Sequence, residues 1–239
     1  MAPNKTKDHS IRSQLASFAT DRLDTATSVT DVVETVIQSW ALAEELLDAE
    51  MHDPLPKPIA CHAGCTHCCT YSRVETTPIE TIALAWWLGE NLETEPFADL
   101  RNRIAEMDKI TNGLSLAGRS AAGIDCPMLK NGQCSVYPMR PLDCQGFESM
   151  DAEICRSALP IGKYGRIPLN QPRKKAMQSA RKGLLQASRE CGFEAINVEL
   201  TAALHIALET PDIAERWLAG ESMFADASYV GWRGSFGKN

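Results

Sequence analysis

Hydrophobic residues recur at intervals of three and four positions through most of the chain, which is the period of an amphipathic α-helix. The longest such stretch follows Ser28, which with Asp31 forms a typical N-terminal capping pair. Its apolar stripe consists of Val29, Val32, Val33, Val36, Ile37, Trp40, Leu47 and Met51. Three prolines within residues 52–58 would stop it. The pattern predicts a long helix here and a shorter one around residues 11–23.

The best helix start in the sequence lies just before the next apolar stretch. Thr77 can cap the helix, Pro78 suits the first helical position, and Glu80 can complete a capping box. Further helical periods cover residues 95–110, 171–192, 196–211 and, more briefly, 212–218. Gly192 and Pro211 are typical of the ends of two of these helices.

The helical period is lost in residues 120–168, which are rich in turn-forming residues. Within them, Asn131-Gly132 predicts a tight hairpin. We therefore expect a mainly α fold, a single helical domain with two irregular cysteine-bearing loops brought together at a metal site. Its parts are an N-terminal helical segment (1–58), a cysteine-cluster metal-binding region (59–168) and a C-terminal helical segment (169–239), expected to form one compact domain.

Composition narrows the class of protein. The chain has 239 residues, of which 44% are hydrophobic, enough for one substantial core. A net charge of −7 argues against a general nucleic-acid-binding surface. The N-terminus has no apolar run typical of a signal peptide, and no stretch is apolar enough to span a membrane. We expect a cytoplasmic protein without membrane contact.

The cysteines carry the candidate chemistry, because clustered cysteines in a reducing cytosol more often bind metal or act in redox reactions than form disulfides. Eight of the nine fall in two groups of four along the chain: Cys61, Cys65, Cys68 and Cys69, then Cys126, Cys134, Cys144 and Cys155. Four thiolates are what a tetrahedral zinc site or a four-iron cluster requires. The spacing predicts that all eight are metal ligands.

Two stretches carry a family resemblance: "CHAGCTHCC", and "CPMLKNGQCSVYPMRPLDCQGF" with the later Cys155. They resemble the YkgJ-like cysteine-cluster (CxxCxxCC) family of zinc- or iron-chelating proteins, which are often described as containing iron–sulfur clusters. The resemblance covers roughly residues 61–155. One departure concerns Gln145, since the family usually has Arg after the cysteine that matches Cys144. Any support that this Arg gives to a cluster or an anion is missing or moved in this chain.

The metal follows less directly from the sequence than the ligands do. Zinc ribbons usually separate two C-x2-C pairs by about 15 to 20 residues. Here only Cys65 and Cys68 have that pattern, and a much longer stretch separates Cys69 from Cys126. The ferredoxin spacing is absent too. Together with the resemblance, this favours an iron–sulfur cluster or iron as cofactor, with zinc as the alternative.

Three functions remain open at this point. The first is a metal-binding protein in a redox, metal-handling or sensing role. The second is a zinc-stapled structural protein that binds a partner. The third is an enzyme, since the cysteine region also resembles part of the S-adenosylmethionine-dependent flagellin lysine methylases. No Gly-rich loop for such a cofactor and no nucleophilic triad can be identified, so catalytic residues stay unassigned and enzyme activity is undecided.

Several further residues have both a functional and an ordinary interpretation. Arg140 can offset the charge of a tetrathiolate site or form a simple turn, and Tyr137 can support the site by a hydrogen bond. His62 and His67 are more typical of exposed residues near a site than of ligands, and His205 of a hydrogen-bonded core histidine.

Charge is uneven in residues 156–189, which contain nine Arg or Lys and no Asp or Glu. A solvated helix face is the simple explanation. The functional alternative is a protein partner, so far unknown, that docks through this basic segment.

Overall fold

The computed structural model describes residues 5–50 and 54–228, and this part of the chain is mainly helical. The helices are α1 (Lys5–Leu23), α2 (Val29–Glu50), α3 (His67–Tyr71), α4 (Pro78–Asn91), α5 (Thr94–Thr111), α6 (Leu116–Ala122), α7 (Leu142–Gln145), α8 (Ala152–Ala158), α9 (Gln171–Glu190), α10 (Leu200–Glu209) and α11 (Ile213–Leu218). The mainly α fold class is confirmed. No helix in the described ranges is long and apolar enough to cross a membrane.

Two short antiparallel strand pairs complete the fold. Strand β1 (Glu75–Thr76) pairs with β4 (Val198–Glu199), with Thr76 opposite Val198. Strand β2 (Leu129–Lys130) pairs with β3 (Gln133–Cys134) as the predicted hairpin. Its turn residues Asn131 and Gly132 have φ angles of 52° and 72°, as a two-residue hairpin with both central residues left-handed requires.

One hydrophobic core lies between the long helices. Helix α1 packs along α9, α2 packs against α1 and α4, and α10 packs against α4 and α5. The predicted stripe of α2 is buried at Val32, Val36 and Trp40, but Ile37 is 44% exposed, so its assignment to the stripe was wrong. Ile37 lies four positions after Val33, about 40° further around the helix and away from Val32 and Val36, and so falls outside the packed face. Met51 lies outside the described residues.

Both predicted capping pairs are present. The backbone N–H of Ser28 donates to the Asp31 carboxylate (2.9 Å), and the Asp31 N–H donates to the Ser28 hydroxyl (3.3 Å). At the start of α4, the Glu80 N–H donates to the Thr77 hydroxyl (3.3 Å). These bonds satisfy backbone donors that the first helical turn leaves without a partner.

The region predicted as irregular contains short helices, namely α7, α8 and the end of α6. Helices of four to seven residues are too short to show a hydrophobic period. Two of them begin at a side-chain cap, where Ser115 accepts from the Gly118 N–H and Asp151 from the Ile154 N–H. The proposed boundaries at residues 58 and 168 stay predictions, although α1 and α9, from the first and last segments, share one core.

Helices α1 and α9 approach most closely at Gly183. A Cβ atom there would lie 2.7 Å from the Leu15 Cβ and 2.9 Å from the Arg12 carbonyl oxygen. Leu15 is fully buried. Since a backbone carbonyl cannot move aside independently of its helix, the contact requires glycine at this position.

We expect Gly183→Ala to lower the free energy of unfolding by about 1–3 kcal/mol, because the added methyl group overpacks the α1–α9 contact. Urea denaturation measures the effect. Gly89→Ala is the matched control: a Cβ atom added to Gly89 in α4 would meet no neighbouring atom within 4 Å, so the same substitution should stabilise by about 0.5–1 kcal/mol. Equal effects at the two sites would contradict the packing explanation.

Candidate metal centre

The eight clustered cysteines are distributed over several short elements. Cys61 and Cys65 precede α3, which carries Cys68 and Cys69. Cys126 precedes the hairpin and Cys134 lies on β3, whereas Cys144 belongs to α7 and Cys155 to α8. All are free thiols; Cys155 is buried and the other seven are partly exposed. The predicted ligands therefore retain the thiol groups that metal binding requires.

The two cysteine segments are attached to each other through the end of α3. The Cys126 N–H donates to the Cys69 carbonyl oxygen (2.8 Å), and the Thr70 hydroxyl donates to the Asp125 carboxylate (2.6 Å). The buried guanidinium of Arg119 donates to the carbonyl oxygens of Thr70 (2.9 Å) and Ile124 (2.5 Å). These four hydrogen bonds hold residues 69–70 beside residues 124–126, although the two stretches are far apart in sequence.

Three of the thiols lie around Ser149. Its N–H donates to the Cys61 sulfur (3.2 Å), and its side chain lies near enough to Cys155 to oppose the rise in the pKa of that thiol. Burial raises the pKa of Cys61, the Ser149 N–H opposes the rise, and the nearby sulfurs of Cys65 and Cys155 raise it further. Burial likewise raises the pKa of Cys155, with a smaller contribution from Cys65.

The hairpin places Cys126 and Cys134 beside each other. The Met128 N–H lies near the Cys126 sulfur and the Val136 N–H near the Cys134 sulfur, where each acts to lower the pKa of the thiol. Burial raises the pKa of Cys126 to about 12 and also raises that of Cys134. A backbone donor two residues after each cysteine stabilises a thiolate, because it supplies a partial positive charge to the sulfur.

Cys69 and Cys144 lie next to these hairpin thiols. Burial is the main cause that raises the pKa of Cys144, followed by the charges of Asp143, Cys126, Cys69 and Cys134. A neighbouring thiolate disfavours a second negative charge, so the sulfurs of Cys69, Cys126 and Cys134 act on Cys144 in the same direction as burial.

Cys68 and Cys69 differ although they are adjacent in sequence. The Cys68 thiol donates a hydrogen bond to Cys69, which together with the charge of Arg140 lowers the pKa of Cys69 to about 7 against the effect of burial. The same hydrogen bond, followed by burial, raises the pKa of Cys68 well above its ordinary value. Of the two thiols, Cys69 is the one whose surroundings favour the thiolate, the form in which a cysteine binds metal.

Arg140 places positive charge near the sulfurs of Cys69 and Cys134, since its charge acts to lower the pKa of both thiols. Its guanidinium lies 3.8 Å from the centre of the Tyr137 ring, a cation–π contact. Among the described residues, its Nε has no hydrogen-bond partner. Gln145, the position that departs from the family pattern, donates to the Arg140 carbonyl oxygen (2.6 Å). The supporting roles of Arg140 and Tyr137 stay predictions.

The other singled-out residues have ordinary environments. The exposed His62 is 3.0 Å from the Ala60 carbonyl oxygen through Nδ1. His205 Nδ1 is 2.8 Å from the Asp108 carboxylate, which confirms a partnered histidine.

In the basic segment, three arginines bind carboxylates of this chain: Arg156 pairs with Glu153, Arg173 with Glu44 and Glu148, and Arg181 with Glu75. A protein partner at residues 156–189 stays a prediction, carried by the remaining exposed basic residues of the segment.

Sequence reasoning missed two residues that organise this region, Arg119 and Ser149. Neither belongs to a motif, and both act on backbone carbonyls or sulfurs distant in sequence. The hairpin donors at Met128 and Val136 were indicated only by the Asn-Gly turn. No sequence signal points to a buried arginine as a link between two loops.

The donor set fits a soft transition metal in kind and number. Thiolates select zinc, copper(I) and iron–sulfur clusters, and four of them complete a tetrahedral site. Within the described ranges, no three His, Cys, Asp or Glu side chains stand close enough to enclose a metal ion as they are placed. Binding would therefore require the sulfurs to move closer to one another, on loops whose backbones are already adjacent.

The fold and these thiols define a helical protein with a cysteine-rich centre suited to chelating metal. Residues 60–180, slightly more than half of the chain, match the CxxCxxCC family, described as "Putative zinc- or iron-chelating domain". The chain belongs to this family, which confirms the resemblance. Comparison with curated proteins and with solved structures finds no match.

Glu80 fixes the helix that carries Cys144. Its carboxylate accepts from the Leu142 N–H at the start of α7 (2.9 Å) and from the hydroxyls of Thr76 (3.2 Å) and Thr77 (3.0 Å). The side chain is fully buried, and this burial raises its pKa above the ordinary value of 4.5. The Glu80 carboxylate thus caps α7 and also holds the Thr77 hydroxyl that caps α4.

We expect Arg119→Met to lower the free energy of unfolding by about 2–4 kcal/mol, because it leaves the Thr70 and Ile124 carbonyl oxygens without their donor. Urea denaturation measures the loss. Arg101→Met is the control, since Arg101 forms an exposed ion pair with Glu209 that should contribute less than about 1 kcal/mol. If both variants lost the same free energy of unfolding, the hydrogen bonds of Arg119 would contribute no more than an exposed ion pair does.

Glu80→Gln should remove a pH dependence of stability. Above pH 4.5 the unfolded chain loses the Glu80 proton while the folded chain retains it, so the free energy of unfolding falls as the pH rises through this window. Glutamine keeps an acceptor oxygen and does not titrate. We expect the free energy of unfolding of wild type minus that of the variant to decrease from pH 4.5 upward, measured by denaturation at several pH values.

Glu90→Gln is the control for this experiment, because Glu90 is exposed on the same helix. The same slope with pH in both variants would assign the effect to the loss of a charge in general and not to the buried carboxyl group.

Proposed function

We propose that this chain is an iron-binding protein in which cysteines hold iron–sulfur clusters or iron for a redox, metal-handling or sensing role. The single observation that supports it is a set of eight free thiols on loops whose backbones adjoin, with backbone N–H groups near three of the sulfurs. The proposed ligands are Cys61, Cys65, Cys68, Cys69, Cys126, Cys134, Cys144 and Cys155.

The surrounding groups suit a redox centre. The N–H donors of Ser149, Met128 and Val136 and the guanidinium of Arg140 place positive charge near the sulfurs. Hydrogen bonds to sulfur and local charge set the reduction potential of an iron–sulfur cluster. A bound cluster would supply one-electron transfer. Seven of the eight cysteine residues are partly exposed, which leaves the region within reach of a redox partner.

The spacing of the cysteines supports iron over zinc. A structural zinc site usually uses two C-x2-C pairs, and this chain has one. Zinc that merely staples the loops is the competing function, and the metal bound by native protein distinguishes the two. An S-adenosylmethionine-dependent activity would require saturable binding of that cofactor, which calorimetry measures.

We expect protein expressed and purified without oxygen to contain iron and acid-labile sulfide and to absorb in the visible range through sulfur-to-iron charge transfer. Metal analysis and optical spectroscopy before and after dithionite check this. Cys191→Ser is the control, since Cys191 lies outside the matched region and should leave the spectrum unchanged. A colourless protein with stoichiometric zinc that unfolds on chelation would overturn the iron proposal.

A further inference from the structure

Each group of four cysteines along the chain has one member, Cys69 or Cys155, that lies with the other group in space. We propose that the cysteines form two four-sulfur metal sites, each with three members from one chain segment and one from the other. Site A comprises Cys61, Cys65, Cys68 and Cys155, and site B comprises Cys69, Cys126, Cys134 and Cys144. The inference rests on the proposed metal binding and adds the number of sites and the membership of each.

Ser149 defines site A. Its N–H donates to the Cys61 sulfur, and its carbonyl oxygen accepts from the Ala60 N–H (2.9 Å). Its side chain lies near Cys155, which is far from Cys61 in sequence. Cys155 belongs to a small hydrophobic cluster separate from the main core, and Cys68 packs against that same cluster. Cys65 is close enough to both Cys61 and Cys155 to act on each electrostatically.

The hairpin defines site B. Cys126 precedes its first strand, and Cys134 is the last residue of its second. Both pack against the main core, and each has a backbone N–H near its sulfur. The Cys126 N–H bonds the backbone of Cys69, so Cys69 lies against the hairpin. Cys144, held by the Glu80 cap on α7, is close to all three of these sulfurs.

Helix α3 separates the sites and explains the adjacent cysteines. Consecutive residues in a helix point about 100° apart, so Cys68 and Cys69 cannot face the same side. Cys68 packs towards the cluster of α8, whereas Cys69 adjoins the hairpin. The charges of Cys144 in site B and Cys61 in site A both act on Cys68, so the two sites are neighbours. One short helix thus contributes one ligand to each site.

Cobalt(II) titration tests the membership, because cobalt occupies four-thiolate sites and reports them by visible absorption whichever metal is native. Wild-type chain and Cys191→Ser, stripped of metal and kept reduced, should each bind about two equivalents with tetrahedral thiolate spectra. The Cys61→Ser/Cys155→Ser variant removes two ligands from site A alone. It should halve the bound cobalt and the charge-transfer absorbance, since site B retains its four sulfurs.

The Cys69→Ser/Cys126→Ser variant is the counterpart for site B and should also halve the bound cobalt. It keeps the conclusion testable if the buried Cys155 does not tolerate serine. Each double variant takes one cysteine from each chain segment. If the sites followed the order along the chain, either variant would therefore damage both and lose most of its cobalt, which would overturn the proposed membership.

Failure of the membership is distinguishable from failure of the proposed function. Wild type that binds about two cobalt ions, with double variants that bind none, rejects the membership of sites A and B and leaves metal binding intact. Wild type that binds no cobalt and holds no native metal rejects both. Zinc in the native protein together with halved cobalt binding in the variants rejects iron and retains the two sites.

Discussion

The arrangement of the thiols depends on one buried cation, the guanidinium of Arg119, which is 6% exposed and bonds the carbonyl oxygens of Thr70 and Ile124. Buried carbonyl groups outside regular secondary structure need a donor, and desolvation makes them costly without one. Arg119 supplies donors to both cysteine segments at once. The Cys126–Cys69 and Thr70–Asp125 hydrogen bonds lie beside it and act in the same direction. The loops are therefore ordered in part by the polypeptide itself.

The packing of the longer helices supports this arrangement of the cysteine segments. Helices α1 and α9 pack at the distance that Gly183 permits, and Glu80 joins the start of α4 to the start of α7. A fully buried carboxylate with three donors fixes α7, and hence Cys144, more firmly than a four-residue helix could by itself. The remaining adjustment on metal binding falls to the sulfurs and their loops. Packed helices that carry free thiols on short loops are compatible with a metal site that forms as the metal binds.

Much of the fold was predictable because it depends on local signals. The long helices, the capping pairs at Ser28 and Thr77, and the Asn131-Gly132 hairpin each follow from spacing or from the conformational preferences of a few neighbouring residues. The short helices α3, α7 and α8 were not predictable in this way, since they are too brief to show a period. Ile37 was misassigned because a stripe drawn by period alone does not specify the width of the buried face.

The sequence by itself determined the chemistry of the candidate site: eight thiols in a family pattern whose residue types bind soft metals. It also determined most of the helices that carry or surround them. Only the tertiary structure decided which thiols are neighbours, as in the meeting of Cys61 and Cys155 at Ser149. The physical reason is that proximity between distant segments depends on packing and on individual hydrogen bonds, such as those of Arg119 and Ser149, which leave no periodic trace in the sequence.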